Sequence, residues 1–259
     1  MSYSPAYDEL FLADLANNVV RSMHLRDNAV DLLEVFKVSA DNKTPIICSV
    51  CYMRDTDTLL VCSGEVSNTS SNQWLVALSR SGSNWSEAHR VQVKGTGKLC
   101  GSFALSDSRV LVGEYGSTYM ELFRVESGSR IAHISRIQLS EHYLDFSATS
   151  GGDTLVATSF KTEKWVRVYR LLCDRLEELA CIRFKINEPC ALLWFDERTL
   201  LVATQNADSS AIIALEVVDT QLKRSRTFNP CNVYRWCAMN NGLAIVEFPS
   251  KDLLIFSFS

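Results

Sequence analysis

Leu99 to Leu139 reads LCGSFALSDSRVLVGEYGSTYMELFRVESGSRIAHISRIQL, four apolar stretches separated by turn residues. Its second stretch, Val110-Leu111-Val112-Gly113, follows a turn and ends in a small residue. The same short motif, two or three aliphatic residues between a turn and a small or polar residue, recurs through the chain. The other copies are Leu10 to Ala13, Leu59 to Cys62, Thr154 to Ala157, Leu200 to Ala203 and Leu243 to Val246.

The spacing of these copies indicates the architecture. Taking Leu12, Val61, Val112, Val156, Val202 and Val246 as equivalent, the steps are 49, 51, 44, 46 and 44 residues by subtraction. One four-stranded blade of a β-propeller takes roughly 40–50 residues. The sequence therefore predicts an all-β, six-bladed β-propeller forming a single domain. The approximate blades are residues 1–41, 42–94, 95–140, 141–188, 189–232 and 233–259.

Each repeat divides into four strands joined by turns. In the third repeat, residues 99–105, 110–113, 119–125 and 131–139 alternate as strands, and Ser, Asp and Gly residues lie between them. Two stretches, 27–38 and 174–185, also carry helical i, i+3 spacing and good helix formers. Their place after the third strand of a repeat favours a fourth strand over a short helix.

The last repeat is incomplete. Its final segment, Leu253 to Ser259, aligns with the third strand of the other repeats, and no fourth strand follows it. Either the last blade has three strands or this chain is part of a longer protein. A three-stranded blade would leave backbone groups open for edge-strand pairing with a partner.

The first repeat resembles a known propeller unit. Glu9 to Arg21, ELFLADLANNVVR, is similar to the NHL repeat, in which an aliphatic strand ends in Ala-Asp before an Asn-containing turn and Val-x-Arg. WD-repeat propellers have a similar period, but their Trp-Asp and Gly-His pairs do not occur here. The resemblance implies a non-enzymatic scaffold whose partners are proteins or peptides.

The overall composition argues against two other kinds of partner. Lys and Arg number 26 against 30 Asp and Glu, a net charge of -4, so little positive field is available for nucleic acid. No apolar run approaches the roughly 18 residues that cross a bilayer, and Met1 to Pro5 lacks an export signal. A cytoplasmic protein with nine reduced cysteines and no membrane contact is expected.

Candidate chemistry is sparse. The four histidines lack metal-ligand spacing, and Cys48 and Cys51 are expected to fill the core from opposite faces of a strand. Asp145 is the only carboxylate on the inner strands as predicted, whereas a lactonase-type propeller hydrolase needs several metal ligands. We therefore expect no catalytic residue, metal or cofactor. The rival functions are that metal-dependent hydrolase and an RNA-binding NHL propeller.

A binding face is predicted at the loops that follow the second strand of each repeat, because loops on a rigid scaffold carry recognition. Tyrosine and mixed charges in this position are typical of interfaces. The candidate binding residues are Glu114, Tyr115, Lys161, Glu163, Gln205 and Asn206.

Overall fold

The computed structural model describes residues 1–24, 33–37, 45–65, 73–93, 98–149, 154–160, 163–185, 188–205, 210–228, 233–239, 242–247 and 253–257. Regular structure in these residues is β-strand, apart from single 3-10 turns at Arg54–Thr56 and Ser127–Ser129. None of the helical turns in the described ranges has the length or apolarity to cross a membrane.

The strands form six antiparallel sheets that follow one another along the chain, and strand order within each sheet equals chain order. The first three sheets are β1 (Ser2–Ser4), β2 (Glu9–Asp14), β3 (Val19–His24) and β4 (Leu33–Lys37); β5 (Pro45–Met53), β6 (Thr58–Glu65), β7 (Gln73–Ser81) and β8 (Asn84–Val93); and β9 (Lys98–Ala104), β10 (Arg109–Tyr115), β11 (Tyr119–Val125) and β12 (Ile131–Gln138).

The next three are β13 (Asp145–Ala148), β14 (Leu155–Phe160), β15 (Trp165–Leu172) and β16 (Arg175–Arg183); β17 (Glu188–Trp194), β18 (Thr199–Gln205), β19 (Ser210–Val218) and β20 (Gln221–Phe228); and β21 (Val233–Met239), β22 (Gly242–Glu247) and β23 (Leu253–Ser257). Five described sheets have four strands and the last has three. The predicted six-bladed β-propeller with a three-stranded last blade is confirmed.

The chain divides into two compact units, residues 1–115 with 120–135 and residues 116–119 with 136–259. In the first unit, Phe11 and Val20 of the first sheet pack with Val50 and Val61 of the second. In the second unit, Val168 packs with Leu192, Trp194 and Leu215 of the following sheet. Each sheet buries its apolar face against the next sheet of its unit, and the single-domain organisation stays a prediction.

The described parts of the two segments with mixed helical and strand character contain strands. Residues 175–183 form β16, and Leu33–Lys37 form β4, while the start of that stretch, residues 27–32, lies outside the described residues. Strand pairing with β3 and β15 therefore decides over local helix propensity.

The prediction for Cys48 and Cys51 is half wrong. Cys51 is buried in a hydrophobic cluster as expected, but the partly buried Cys48 packs against the same cluster and not on the opposite face. The reason is an irregularity in the β5–β6 register between Ile47 and Ser49, which makes Cys48 an extra residue and reverses the alternation.

Side chains of the first strands join consecutive sheets within each unit. Each accepts a hydrogen bond from a backbone N–H of the first strand of the following sheet, 47 to 53 residues along the chain. The pairs are Ser2 Oγ with Tyr52 (2.9 Å), Cys51 Sγ with Ala104 (3.1 Å), Asp145 Oδ2 with Leu192 (2.9 Å) and Ser147 Oγ with Trp194 (3.1 Å). These bonds satisfy edge amides that no further strand would pair.

Candidate interaction surfaces

The predicted binding residues occupy different environments. Glu114 lies inside β10 and is only 2% exposed, and Tyr115 ends that strand. Glu163 lies exposed in the turn before β15, and Gln205 is exposed at the end of β18. Glu163 therefore follows β14 and Gln205 ends β18, the second strands of consecutive sheets. Lys161 and Asn206 lie outside the described residues, and the binding role of all six stays a prediction.

The loop between β10 and β11 is held in one conformation by backbone bonds. Gly116 has φ 71° and donates its N–H to Tyr143 O at 3.2 Å, and Tyr143 N–H donates to Ser117 O at 3.1 Å. Leu139 N–H donates to Thr118 O at 2.6 Å, and the His142 Nδ1–H donates to Gly116 O at 2.6 Å. A loop ordered in this way loses little conformational entropy when a partner binds it.

A second group of polar residues joins the first two sheets around Arg80. Its guanidinium lies 3.9 Å from the centre of the Tyr7 ring and bonds Glu9 Oε2 at 3.1 Å. The side chains of Arg80 and Glu9 are 15% and 4% exposed, so this ion pair is largely removed from water.

Asp57 completes this group from the β5–β6 turn. Its two carboxylate oxygens accept hydrogen bonds from Tyr7 at 2.6 Å and from Tyr52 at 2.9 Å. The bond to Asp57, together with burial, raises the pKa of Tyr7. Burial and the same carboxylate raise the pKa of Tyr52 to about 12. Both phenols therefore stay protonated donors at neutral pH, and the group holds two sheets together.

The carboxylates and histidines considered for catalysis also have structural partners. Asp145 accepts the Leu192 N–H, His133 Nε2 lies 2.7 Å from Glu121 Oε2, and His89 Nδ1 accepts the Ile131 N–H at 3.1 Å. Strand β17 begins at Glu188, earlier than predicted, so the first strands carry a second carboxylate. Within the described residues, no three His, Cys, Asp or Glu side chains are grouped so that they could hold a metal ion.

The NHL-like segment has a local structural role. Asp14, the last residue of β2, accepts hydrogen bonds from the Asn17 backbone at 3.2 Å and from Arg21 Nε at 2.8 Å. Burial raises the pKa of Asp14, but the bonds from Arg21 and Asn17 outweigh burial and lower that pKa. The Asp, Asn and Arg residues of the motif thus hold the β2–β3 turn.

The last sheet has three described strands, and sequence reasoning did not identify the apolar side chain that is exposed on the outermost of them. In the described residues, β23 pairs with β22 on one side, and no strand pairs with its other edge. Ile255, in the middle of β23, is 46% exposed. The signal for this side chain in the sequence is the uncharged run Leu253-Leu254-Ile255-Phe256.

Comparisons with known proteins show the fold. No family model and no curated protein matches the chain. Among solved structures, 632 chains match it. One is a chain of the crystal structure of the mitotic checkpoint complex, with a TM-score of 0.65 and 12% sequence identity over 100% of this chain and 86% of that one. At this identity the likeness shows a shared β-propeller architecture and leaves the function to be argued from the surfaces.

Proposed function

We propose that this protein is a non-enzymatic scaffold of the NHL-like or WD-like propeller kind, which binds protein or peptide partners. The observation that carries the proposal is the hydrogen bond that the Asp145 side chain accepts from the following sheet. Its carboxylate accepts a backbone N–H of the next sheet at 2.9 Å, as Ser147 Oγ does two residues further on at 3.1 Å. A carboxylate engaged in joining sheets serves stability, whereas a metal-dependent hydrolase would direct it to an ion.

The surfaces support the same function. Backbone hydrogen bonds hold the loop at residues 116–118, and Glu163 and Gln205 lie exposed just after and at the end of the second strands of two consecutive sheets. The solved neighbour belongs to a structure described as a complex, which agrees with a propeller that works through protein contacts. We place the protein in the reducing cytoplasm, where its buried thiols Cys51, Cys62 and Cys237 persist.

Affinity purification with quantitative mass spectrometry tests the scaffold. The full chain is compared with a double variant, Glu163→Arg and Gln205→Arg, and with Ser86→Arg, an exposed position on the outer strand β8. We expect at least one protein recovered in near-stoichiometric amount, lost from the double variant and kept by Ser86→Arg. If the double variant kept every partner, Glu163 and Gln205 would not be part of the binding surface.

Two experimental results would favour one of the rival functions over the scaffold function. Stoichiometric calcium or zinc in the purified protein, together with hydrolysis of a lactone, would establish the propeller hydrolase. Tight and salt-sensitive retention of RNA in a filter-binding titration would establish the RNA-binding propeller.

A further inference from the structure

The outer strand of the fifth sheet, β20, presents an exposed basic strip. Every residue from Lys223 to Phe228 is exposed. The strand contains three positive residues, Lys223, Arg224 and Arg226, and no negative one, in a chain whose net charge is -4. The outer strands β4, β8 and β16 carry equal numbers of Asp or Glu and Lys or Arg, and β12 carries one arginine. The positive charge of β20 is therefore a local feature that favours an anionic group.

An extra residue in β20 brings an arginine and a threonine to the same face of the strand. Residues three apart in a regular strand point to opposite faces. In β20, Arg224 and Arg226 pair with adjacent residues of β19, so Ser225 between them is an extra residue. Its Oγ donates to Ala214 O at 3.3 Å. This bulge reverses the alternation and places Arg224 on the same face as Thr227.

That face lies between the fourth and fifth sheets. Leu222, two residues before Arg224, points to the same side and packs against the hydrophobic cluster that contains Val168 of the fourth sheet and Leu215 of the fifth. The surroundings of Arg224 are thus set by two complete four-stranded sheets of the same compact unit.

The guanidinium of Arg224 is directed at the threonine hydroxyl. Its Nε and Nη2 atoms donate to Thr227 Oγ1 at 3.0 and 2.6 Å. Among the residues that the structure describes, Arg224 bonds this neutral oxygen and no carboxylate. Other described arginines do pair with carboxylates: Arg21, Arg80, Arg90, Arg109 and Arg167. Since guanidinium groups bond anions about twice as strongly as neutral acceptors, Arg224 has unused capacity for an anion at Thr227.

We infer that Thr227 is a phosphorylation site and that Arg224 binds the phosphate group once it is attached. In the active site of a protein kinase, Thr227 Oγ1 attacks the γ-phosphorus of ATP and forms a new P–O bond. The bond between that phosphorus and the β–γ bridging oxygen breaks, ADP leaves, and the hydroxyl proton passes to the catalytic aspartate of the kinase. The inference does not depend on the proposed scaffold function.

The geometry suits the phosphorylated state. The new group is attached to the oxygen that the two Arg224 nitrogens already contact, and a guanidinium matches two phosphate oxygens at once. A phosphate carries a charge of about -1.5 to -2 at neutral pH, so it would change the charge of the strip from +3 to about +1. Phosphorylation would thus both order the Arg224 side chain and remove most of the local positive field.

The chain contains a matched position for comparison. Ser83 is an exposed hydroxyl residue with an arginine, Arg80, three residues before it, as Thr227 has Arg224. Arg80 is already engaged, because it bonds Glu9 Oε2 at 3.1 Å and the Gly82 carbonyl at 2.9 Å. Sequence spacing alone would make the two positions equivalent, whereas the structure assigns the modification to Thr227.

The first experiment measures the site of modification. The full chain is incubated with ATP and a protein kinase that selects arginine before its acceptor residue, and mass spectrometry follows each phosphorylated residue with time. We expect one phosphate per chain at Thr227, added at least about tenfold faster than at Ser83, because the kinase can form charge-assisted bonds to Arg224 and not to the engaged Arg80. Thr227→Val should lose this phosphate. Equal rates at the two positions, or no phosphate at Thr227, would overturn the inference.

The second experiment tests the role of Arg224 in the phosphorylated protein. The second pKa of an exposed phosphate ester is about 6, and bonds from a guanidinium lower it by favouring the dianion. A phosphorus NMR titration should therefore give a lower phosphate pKa in the unmodified chain than in Arg224→Gln, each phosphorylated to completion. Arg226→Gln removes the same charge from the opposite face and should change the pKa less. Identical titrations of the unmodified chain and Arg224→Gln would refute the binding of the phosphate by Arg224.

Discussion

Replacing Arg80 by methionine should be among the most destabilising single changes in the first unit. The substitution keeps an apolar stem beside Tyr7 but leaves the Glu9 side chain, 4% exposed, without its cation. Removing one partner of a buried ion pair costs about 3–5 kcal/mol. The lost contact between the guanidinium and the Tyr7 ring, 3.9 Å to its centre, adds about 0.5–1 kcal/mol.

Replacing Glu9 by glutamine should lower the free energy of unfolding by less than replacing Arg80 does. Glu9→Gln leaves Arg80, which is 15% exposed, with the Gly82 carbonyl at 2.9 Å and the face of Tyr7. The expected loss is that of one hydrogen bond to a charged group, about 1.5–3 kcal/mol. The double variant carries no unpaired buried charge, so a double-mutant cycle should give a coupling free energy of about 2 kcal/mol or more.

The measurement is urea unfolding followed by tryptophan fluorescence, with thermal midpoints from calorimetry. A loss of 3–5 kcal/mol corresponds to a midpoint about 6–20 °C lower for a chain of this size. Arg90→Met is the matched control, because Arg90 pairs with Glu87 at 2.6 Å but both side chains are about one third exposed. A surface pair of this kind contributes about 0–1 kcal/mol. The reasoning is refuted if Arg80→Met costs no more than Arg90→Met.

Three further predictions concern single interactions. Ser147→Ala leaves the buried Trp194 N–H without its acceptor and should lower the free energy of unfolding by about 1–3 kcal/mol, whereas the exposed Ser86→Ala should change it little; equal urea midpoints would contradict this. Because the folded-state pKa of Asp14 is lowered, its contribution to the free energy of unfolding is present at neutral pH and is lost as pH falls through that pKa. Asp14→Asn should therefore make the free energy of unfolding fall less steeply in acid. Parallel curves of the free energy of unfolding against pH for the two proteins would be inconsistent with this prediction. Burial raises the pKa of the Cys51 thiol to about 11 and that of the Cys62 and Cys237 thiols to about 12. A thiol reagent at pH 8 should therefore modify the exposed Cys173 and Cys181 first. Mass spectrometry that finds Cys62 labelled equally fast would disprove this order.

The fold was predictable because its signals are local. Alternation in Lys164 to Arg170 and turn residues such as Ser106 to Ser108 lie within a few positions of the structures they specify. The irregularities were not predictable. The extra residue at Cys48 interrupts an unbroken apolar run, and nothing in that run shows where alternation reverses. Glu114 follows an aliphatic stretch as a loop residue would, yet β10 continues to Tyr115 and buries it.

The hydrogen bonds between sheets could not be predicted from the sequence, for a different reason. Each links residues about one repeat apart, and its acceptor is a Ser hydroxyl, a Cys thiol or an Asp carboxylate. Since any short side chain with a lone pair can accept the same N–H, geometry constrains the position and leaves the residue type open. A repeat held together in this way can keep its length while its residue types change.

The same reasoning explains why one repeat alone resembles a named family. In the first repeat, Asp14 accepts bonds from Asn17 and Arg21, so three residue types must be kept together for the turn to hold. Later repeats replace this network with other turns, and only their aliphatic strands, which need burial and not identity, retain the pattern. Family likeness in this chain thus lies where side chains bond one another.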